Sequence, residues 1–171
     1  MQQAHPVIHS LEQSHIPEMA EAFQQLGWYK PASQYERYLR EQALEVRNVY
    51  VALVDGKFAG YLTICWTSTY PRFREAKIPE IVDFNVLPKF RRRGVGTTLM
   101  DTAESEIAKV SHVAGIGVGM TPDYGAAQRM YVLRGYVPDG YGLYQRDHYP
   151  IHGEQVVIND DLAIFLTKQL K

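Results

Sequence analysis

The sequence has little that would tie it to a membrane, an oxidising compartment or a polyanion. A single cysteine, Cys65, occurs in 171 residues, so no internal disulfide can form and nothing points to an oxidising environment. No apolar run approaches the ~20 residues of a membrane span, and the polar opening Met1–Ser10 has no apolar stretch to read as a signal peptide. Neither sign of charge is in excess. The 18 Lys and Arg against 19 Asp and Glu leave a formal net charge of -1, which argues against a protein built to neutralise a phosphate backbone. Metal ligands are sparse too: His148 and His152 stand four apart, but Pro150 between them breaks any helix and no third ligand stands out. What remains is the expectation of a soluble, cytoplasmic, single-domain protein over residues 1–171, with no metal, nucleic-acid or membrane partner. The 46% hydrophobic content suffices for one well-buried core.

Periodicity predicts the order of elements. Val7–Leu11 reads as a short strand, and Met19, Ala20, Phe23 and Leu26 recur at helical spacing after Pro17, closed by Gly27. Ser33 followed by Glu36 reads as a capping box for a second helix with the face Tyr35, Leu39, Ala43 and Val46. Asp55-Gly56 joins two β-rich runs, Asn48–Val54 and Lys57–Trp66, as a hairpin. Thr67–Pro79 then reads as a long loop. A strand at Glu80–Leu87, a helix from about Gly94, a strand at Val113–Val118 and a helix at Gly125–Arg134 follow, with Gly135 as the left-handed terminator. Tyr136-Val137 and Leu162–Thr167 have β character, and the Tyr- and His-rich stretch between them has no clear assignment. An antiparallel start followed by alternating strands and helices implies a mixed α/β (α+β) sheet.

The most informative segment is Val86-Leu87-Pro88-Lys89-Phe90-Arg91-Arg92-Arg93-Gly94-Val95-Gly96-Thr97-Thr98. A strand stops at proline, a basic turn follows, and two glycines lead into an amphipathic helix. A helix N-terminus carries unsatisfied N–H groups and the positive end of the macrodipole, so it binds phosphate through its backbone. Gly94 and Gly96 allow close approach, the three arginines add charge-assisted hydrogen bonds, and Thr97 and Thr98 offer hydroxyls. The Walker pattern is absent, and the dinucleotide fingerprint would need glycine where Leu99 stands. Arg91-x-x-Gly94-x-Gly96, after a strand ending Val86-x-Pro88, resembles motif A of the GCN5-related N-acetyltransferase (GNAT) superfamily. The order of elements matches over about Val7 to Thr167.

The resemblance implies a GNAT-like, mostly antiparallel sheet flanked by helices, with splayed central strands and acetyl-CoA as cosubstrate. It implies that Arg91, Arg92, Arg93, Gly94, Val95, Gly96, Thr97 and Thr98 surround the pyrophosphate, while Phe84 and Val86 offer backbone groups to pantetheine in the manner of β-augmentation. An amine acceptor must lose a proton before attack, which a carboxylate can take. Glu80 stands at the spacing from Arg91 of the glutamate that is the base in the histone-acetyltransferase branch. Asp83 is the second choice, on the opposite sheet face by alternation. Ala126-Ala127-Gln128-Arg129-Met130-Tyr131, then Gly135-Tyr136, resembles motif B, which implies Tyr131 near the leaving thiolate and Gln128 near the cofactor. Cys65 sits in no motif, so direct transfer in a ternary complex is expected over an acyl-enzyme. The expected acceptor is a primary amine of a small molecule; a protein N-terminus or lysine is the alternative, and a non-catalytic acyl-CoA-binding module the rival from another class. Tyr141, Tyr144 and Tyr149 with Trp66 and Tyr70 could wall an acceptor pocket, and Asp123, Asp139 and Asp147 could attract a cation there. The oligomeric state is left open, a homodimer being compatible with the sequence.

Overall fold

The computed structural model describes residues 5–171. Seven strands take the hydrogen-bonded order β1-β2-β3-β4-β5-β7-β6: β1 (Val7–Ser10), β2 (Arg47–Val54), β3 (Lys57–Cys65), β4 (Glu80–Val86), β5 (Val113–Gly119), β6 (Val137–Tyr144) and β7 (Ala163–Gln169). The helices are α1 (Ile16–Gln25), α2 (Ala32–Ala43), α3 (Pro71–Glu75), α4 (Val95–Ala108) and α5 (Gly125–Leu133). The β1–β2, β2–β3, β5–β7 and β6–β7 pairs are antiparallel, whereas β4 and β5 pair in parallel at Glu80↔Gly115 and Ile81↔Ile116. The expected mixed, mostly antiparallel sheet is thus present. No helix among the described residues is long and apolar enough to cross a membrane.

The chain divides into two compact units. The first runs to Trp66 and adds Val82–Glu106. Its core is aromatic: Phe23 of α1 meets Phe58 and Tyr61 of β3 edge-on at 5.8 and 5.9 Å, and Tyr35 of α2 meets Tyr61 at 5.5 Å. β3 is buried without interruption from Phe58 to Ile64, the pattern of a strand covered on both faces. Asp55 and Gly56 both have positive φ, 51° and 71°, the geometry a two-residue hairpin requires. One local expectation fails here. α2 begins at Ala32 with Pro31 in the capping position and no side-chain cap, so Ser33 and Glu36 form no capping box. Its buried face is Tyr35 and Tyr38, while Ala43 and Val46 are exposed.

The second unit is Thr67–Ile81 with Ile107–Lys171. Its β5 reads Val-Ala-Gly-Ile-Gly-Val-Gly, and each alternate glycine is covered by a ring. A Cβ would lie 2.3 Å from Phe73 at Gly115, 2.9 Å from Phe165 at Gly117 and 2.5 Å from Tyr124 at Gly119. Alternation puts all three on one face, so the rings pack directly on backbone. Tyr70 stacks on Phe165 at 3.7 Å, and Tyr144 meets Tyr70 at 4.9 Å. The loop expected at Thr67–Pro79 contains α3, and the Tyr-rich stretch contributes β6. Gly140 and Gly142, at φ 92° and 74°, interrupt the β6 register between Pro138 and Leu143, which masks the period-2 pattern in the sequence.

Two glycines separate close packing from simple chain flexibility. A Cβ at Gly60 would lie 2.5 Å from the Asn85 carbonyl oxygen of β4, whereas one at Gly125, at φ -56°, meets nothing within 4 Å. Gly60→Ala should therefore destabilise the protein by about 1–3 kcal/mol. Gly125→Ala should stabilise it by about 0.4–1 kcal/mol through the unfolded chain. Denaturant titration of both variants checks the contrast, and a neutral Gly60→Ala would remove the close approach of β3 and β4.

Candidate active site

The basic turn lies in the first unit. After β4 the chain makes a single 3₁₀ turn, Pro88–Phe90, whose buried Phe90 ring is flanked by Lys89 Nζ at 5.2 Å and the Arg93 guanidinium at 5.6 Å from its centroid. Arg92 and Gly94 are both left-handed, at φ 59° and 81°, and α4 starts at the next residue. Left-handed residues in a turn point successive N–H groups into one concavity, which suits an anion. The N–H groups of the first helical turn have no partner within the helix and add to it. Arg91, Arg92, Arg93 and Gly94 are exposed, and no protein atom would lie within 4 Å of a Cβ on Gly94. Gly94 thus serves its backbone conformation and leaves open space above the turn. Arg91 Nε donates to the Val86 carbonyl at 3.2 Å, holding the turn against the end of the strand. The Thr98 hydroxyl donates to the Gly94 carbonyl at 3.1 Å, so it is engaged within the helix, while Thr97 is exposed. Val95 is buried and Gly96 half-buried.

In the same unit, β4 departs from regular strand geometry at Asp83, whose φ is 53°. That break interrupts the alternation from which Asp83 was expected on the face opposite Glu80. Its carboxylate is a hub. Lys30 Nζ at 2.5 Å and Asn85 Nδ2 at 2.9 Å donate to Oδ1, while Gln34 Nε2 at 2.9 Å, the Tyr38 hydroxyl at 3.0 Å and the Tyr61 hydroxyl donate to Oδ2. Burial alone would raise its pKa. The Lys30 ammonium and the hydrogen bonds from Lys30, Tyr61 and Tyr38 outweigh that and hold the carboxyl below its ordinary value. A low pKa and occupied oxygens suit a permanent anion and not a proton acceptor. Burial, then the Asp83 charge, conversely raises the Tyr61 and Tyr38 pKa values, so both phenols stay donors. Phe84 and Val86, next along the strand, are half-buried.

The other candidates belong to the second unit. Glu80 is buried at 7% exposure, and the Ser68 hydroxyl donates to its Oε2. Ser68 Oγ in turn accepts the Tyr70 N–H at 2.9 Å, which leaves the serine proton for Glu80. Tyr131 is buried on α5 with its ring 6.1 Å from Tyr136. Burial, with the Tyr124 phenol, pushes its pKa well above that of a free tyrosine. Gln128 Nε2 donates to the Gly119 carbonyl at 2.9 Å, tying α5 to the end of β5.

Of the aromatics expected in a pocket wall, Tyr70 and Tyr144 are packed in the core and Trp66 donates to Asn48. Tyr141 alone among them stands about half exposed, with the Arg72 guanidinium 4.0 Å from its centroid. Those two residues line a hollow of about 440 Å³ with Phe73, Ile78, Asp139 and Thr167. Asp139 is oriented by the Tyr70 hydroxyl at 2.7 Å and the Tyr141 N–H at 3.0 Å. Asp123 and Asp147 have local partners, Thr121 and Tyr144. His148 meets Glu154 at 2.6 Å, and no metal-binding group of three His, Cys, Asp or Glu occurs among the described residues. Sequence reasoning missed Ser68 and the four longer-range donors on Asp83, which are ordinary polar residues until the fold gathers them.

The model of the Acetyltransferase (GNAT) family matches residues 9–136. A relative from Archaeoglobus fulgidus, described as an uncharacterized N-acetyltransferase, is 38% identical over 75 residues, which is 43% of this chain and 50% of the relative. The chain thus spans about half the length of that curated relative. Among solved structures, an N-acetyltransferase from Staphylococcus aureus Mu50 has a TM-score of 0.69 at 14% identity, with 98% of this chain and 100% of that one covered. A Salmonella typhimurium protein solved with its cofactor acetyl-CoA has a TM-score of 0.68 at 17% identity, covering 97% and 94%. At such identities the structures speak to the fold. The family match, by contrast, runs through β4, the left-handed basic turn, α4 and α5, and on that ground the chain belongs to the acetyltransferase (GNAT) family.

Proposed function

We propose that the protein transfers an acetyl group from acetyl-CoA to the primary amine of a small molecule, directly and within a ternary complex. The observation that carries the reading is the turn Arg91–Gly94 at the head of α4, with two left-handed residues, three exposed arginines and open space over Gly94. That set fits a pyrophosphate: the backbone N–H groups of a turn, a helix N-terminus and exposed positive charge. Acetyl-CoA supplies a thioester, whose acyl carbon the amine attacks and whose sulfur leaves as the thiol. The residues have separable tasks. Arg91 to Thr97 bind the pyrophosphate, with Gly96 in the first helical turn, while Thr98 is committed to the Gly94 carbonyl, and Phe84 and Val86 offer backbone groups to the pantetheine arm.

Glu80 is assigned as the base in preference to Asp83. Asp83 is held as an anion by a full set of donors, while Glu80 lies in a dry setting and keeps its orientation through Ser68. Tyr131, whose raised pKa keeps it protonated, donates to the leaving sulfur. Gln128 holds α5 in place from Gly119. The register Glu80↔Gly115↔Thr167 aligns the base with a residue of the hollow, and Phe73, over Gly115, lines it as well. At about 4.8 Å per strand, Thr167 lies roughly 10 Å across the sheet from Glu80. The hollow, reached two strands from Glu80, has room for a small acceptor, which supports that choice. A panel of amines assayed for CoA release tests the reading, and no release from any primary amine by protein that binds acetyl-CoA would turn it towards a binding module.

Three substitutions divide the roles. Gly96→Asp should abolish acetyl-CoA binding, measured by calorimetry, because it adds bulk and like charge at the phosphate; unchanged affinity in the folded variant would remove the central claim. Tyr131→Phe should lower kcat and leave the acetyl-CoA Kd nearly intact. With its pKa raised, Tyr131 should also produce no alkaline fall in kcat below about pH 10, the ordinary tyrosine value. Glu80→Gln should lower kcat/KM by about 10²–10⁴-fold, with partial recovery as rising pH deprotonates more of the amine. Full activity with an unshifted pH profile in that variant would place the base elsewhere.

A further inference from the structure

The Asp83 hub is larger than an incidental salt bridge, and its position within β4 gives it a consequence for the edge that follows. The donors come from the segment after α1 (Lys30), from α2 one turn apart (Gln34 and Tyr38), from β3 (Tyr61) and from β4 itself (Asn85). Tyr61 is fully buried and Tyr38 nearly so. The Lys30 ammonium also lies 5.8 Å from the Phe23 centroid and 5.7 Å from that of Tyr61. The left-handed region is costly for an L-residue and is tolerated best by Gly, Asn and Asp. Such strain persists only where the surroundings over-determine it. Here the surroundings grip the side chain of the strained residue itself.

We propose that Asp83 is a positioning residue for acetyl transfer. Its ionised carboxylate, drawn by these donors, holds β4 in the left-handed kink and so sets the direction in which the Phe84–Val86 backbone presents its polar groups to the acyl donor. The inference rests on the reading of that edge given above. A left-handed residue within a strand rotates the peptide planes on either side of it, so the kink at Asp83 sets how the backbone groups of Phe84–Val86 are turned. The neighbourhood is built for this shape. The Asn85 carbonyl reaches to within 2.5 Å of where a Gly60 Cβ would be, and Gly60 has none. Beyond the kink the Leu87 N–H donates to the Ala59 carbonyl at 2.9 Å, so β4 is anchored again on β3.

The backbone preference of the residue and the grip of its carboxylate can be separated. Asp83→Gly accepts φ 53° without strain and loses the carboxylate; Asp83→Ala loses both. If the carboxylate positions the strand, both variants should weaken acetyl-CoA binding and lower kcat by about tenfold or more, since a misplacement of about 1 Å can cost about 100-fold. Kd by calorimetry and kcat should be read well below each variant's own Tm, so that lost stability does not enter. Lys30→Met and Tyr61→Phe, each removing one donor, should move Kd and kcat in the same direction by less, and they keep the test open if the Asp83 variants do not fold. Wild-type Kd and kcat in folded Asp83→Gly, or in both single-donor variants with only a lower Tm, would overturn the inference and leave Asp83 a packing element. A wild-type protein that binds no acetyl-CoA would instead overturn the functional reading on which it rests.

Discussion

A carboxylate placed in a protein interior must be compensated by charge and hydrogen bonds, because the desolvation cost of an unpaired ion is several kcal/mol. Asp83 meets that demand with donors from the segment after α1, from α2, β3 and β4, and much of the first unit is arranged to deliver them. Tyr38 and Gln34 stand one helical turn apart and reach the same oxygen. Tyr61 carries its hydroxyl to Asp83 while its ring packs against Phe23 and Tyr35, so the aromatic core and the polar hub share a residue. Once these groups are committed, β4 cannot straighten without leaving buried donors unsatisfied. The strand that precedes the basic turn is held in an irregular shape for that reason.

The second unit solves a different packing problem. Removing side chains from alternate positions of β5 lets Phe73, Phe165 and Tyr124 lie on the strand itself. The rings then extend into a stack through Tyr70 and Tyr144. That stack has polar outlets at its margin: the Tyr70 hydroxyl orients Asp139 at the hollow, and the Tyr70 N–H orients Ser68 towards Glu80. A single residue thereby links the aromatic packing to both Glu80 and the hollow. Tyr131 and Gln128 are held by α5, the former by burial and the latter by its tie to Gly119.

Charge is deployed locally in a chain that is nearly neutral overall. The three consecutive arginines stand exposed on a turn whose backbone already favours an anion, and Arg91 braces it against Val86. The field at such a turn is short-ranged at physiological salt, with a Debye length of about 8 Å.

What the sequence by itself determined is what depends on local rules. Proline and the glycine pair mark the basic turn, Asp55-Gly56 marks the hairpin, Pro17 and Gly27 bound α1, and the spacing of Arg91, Gly94 and Gly96 carries the family resemblance. Each is a short-range constraint on φ or on a helix end, so a linear reading can find it. The misses share the opposite character. The apparent capping box at Ser33 yielded to a helix that starts at Ala32, and β6 was hidden by glycines that break its alternation. As a base candidate Asp83 ranks behind Glu80 by spacing, which carries nothing about the partners of either. Only tertiary structure brought Lys30, Gln34, Tyr38 and Tyr61 to the first, across 22 to 53 residues of chain, and Ser68 to the second. A pKa and a backbone kink are set by such distant partners, and no local pattern encodes them.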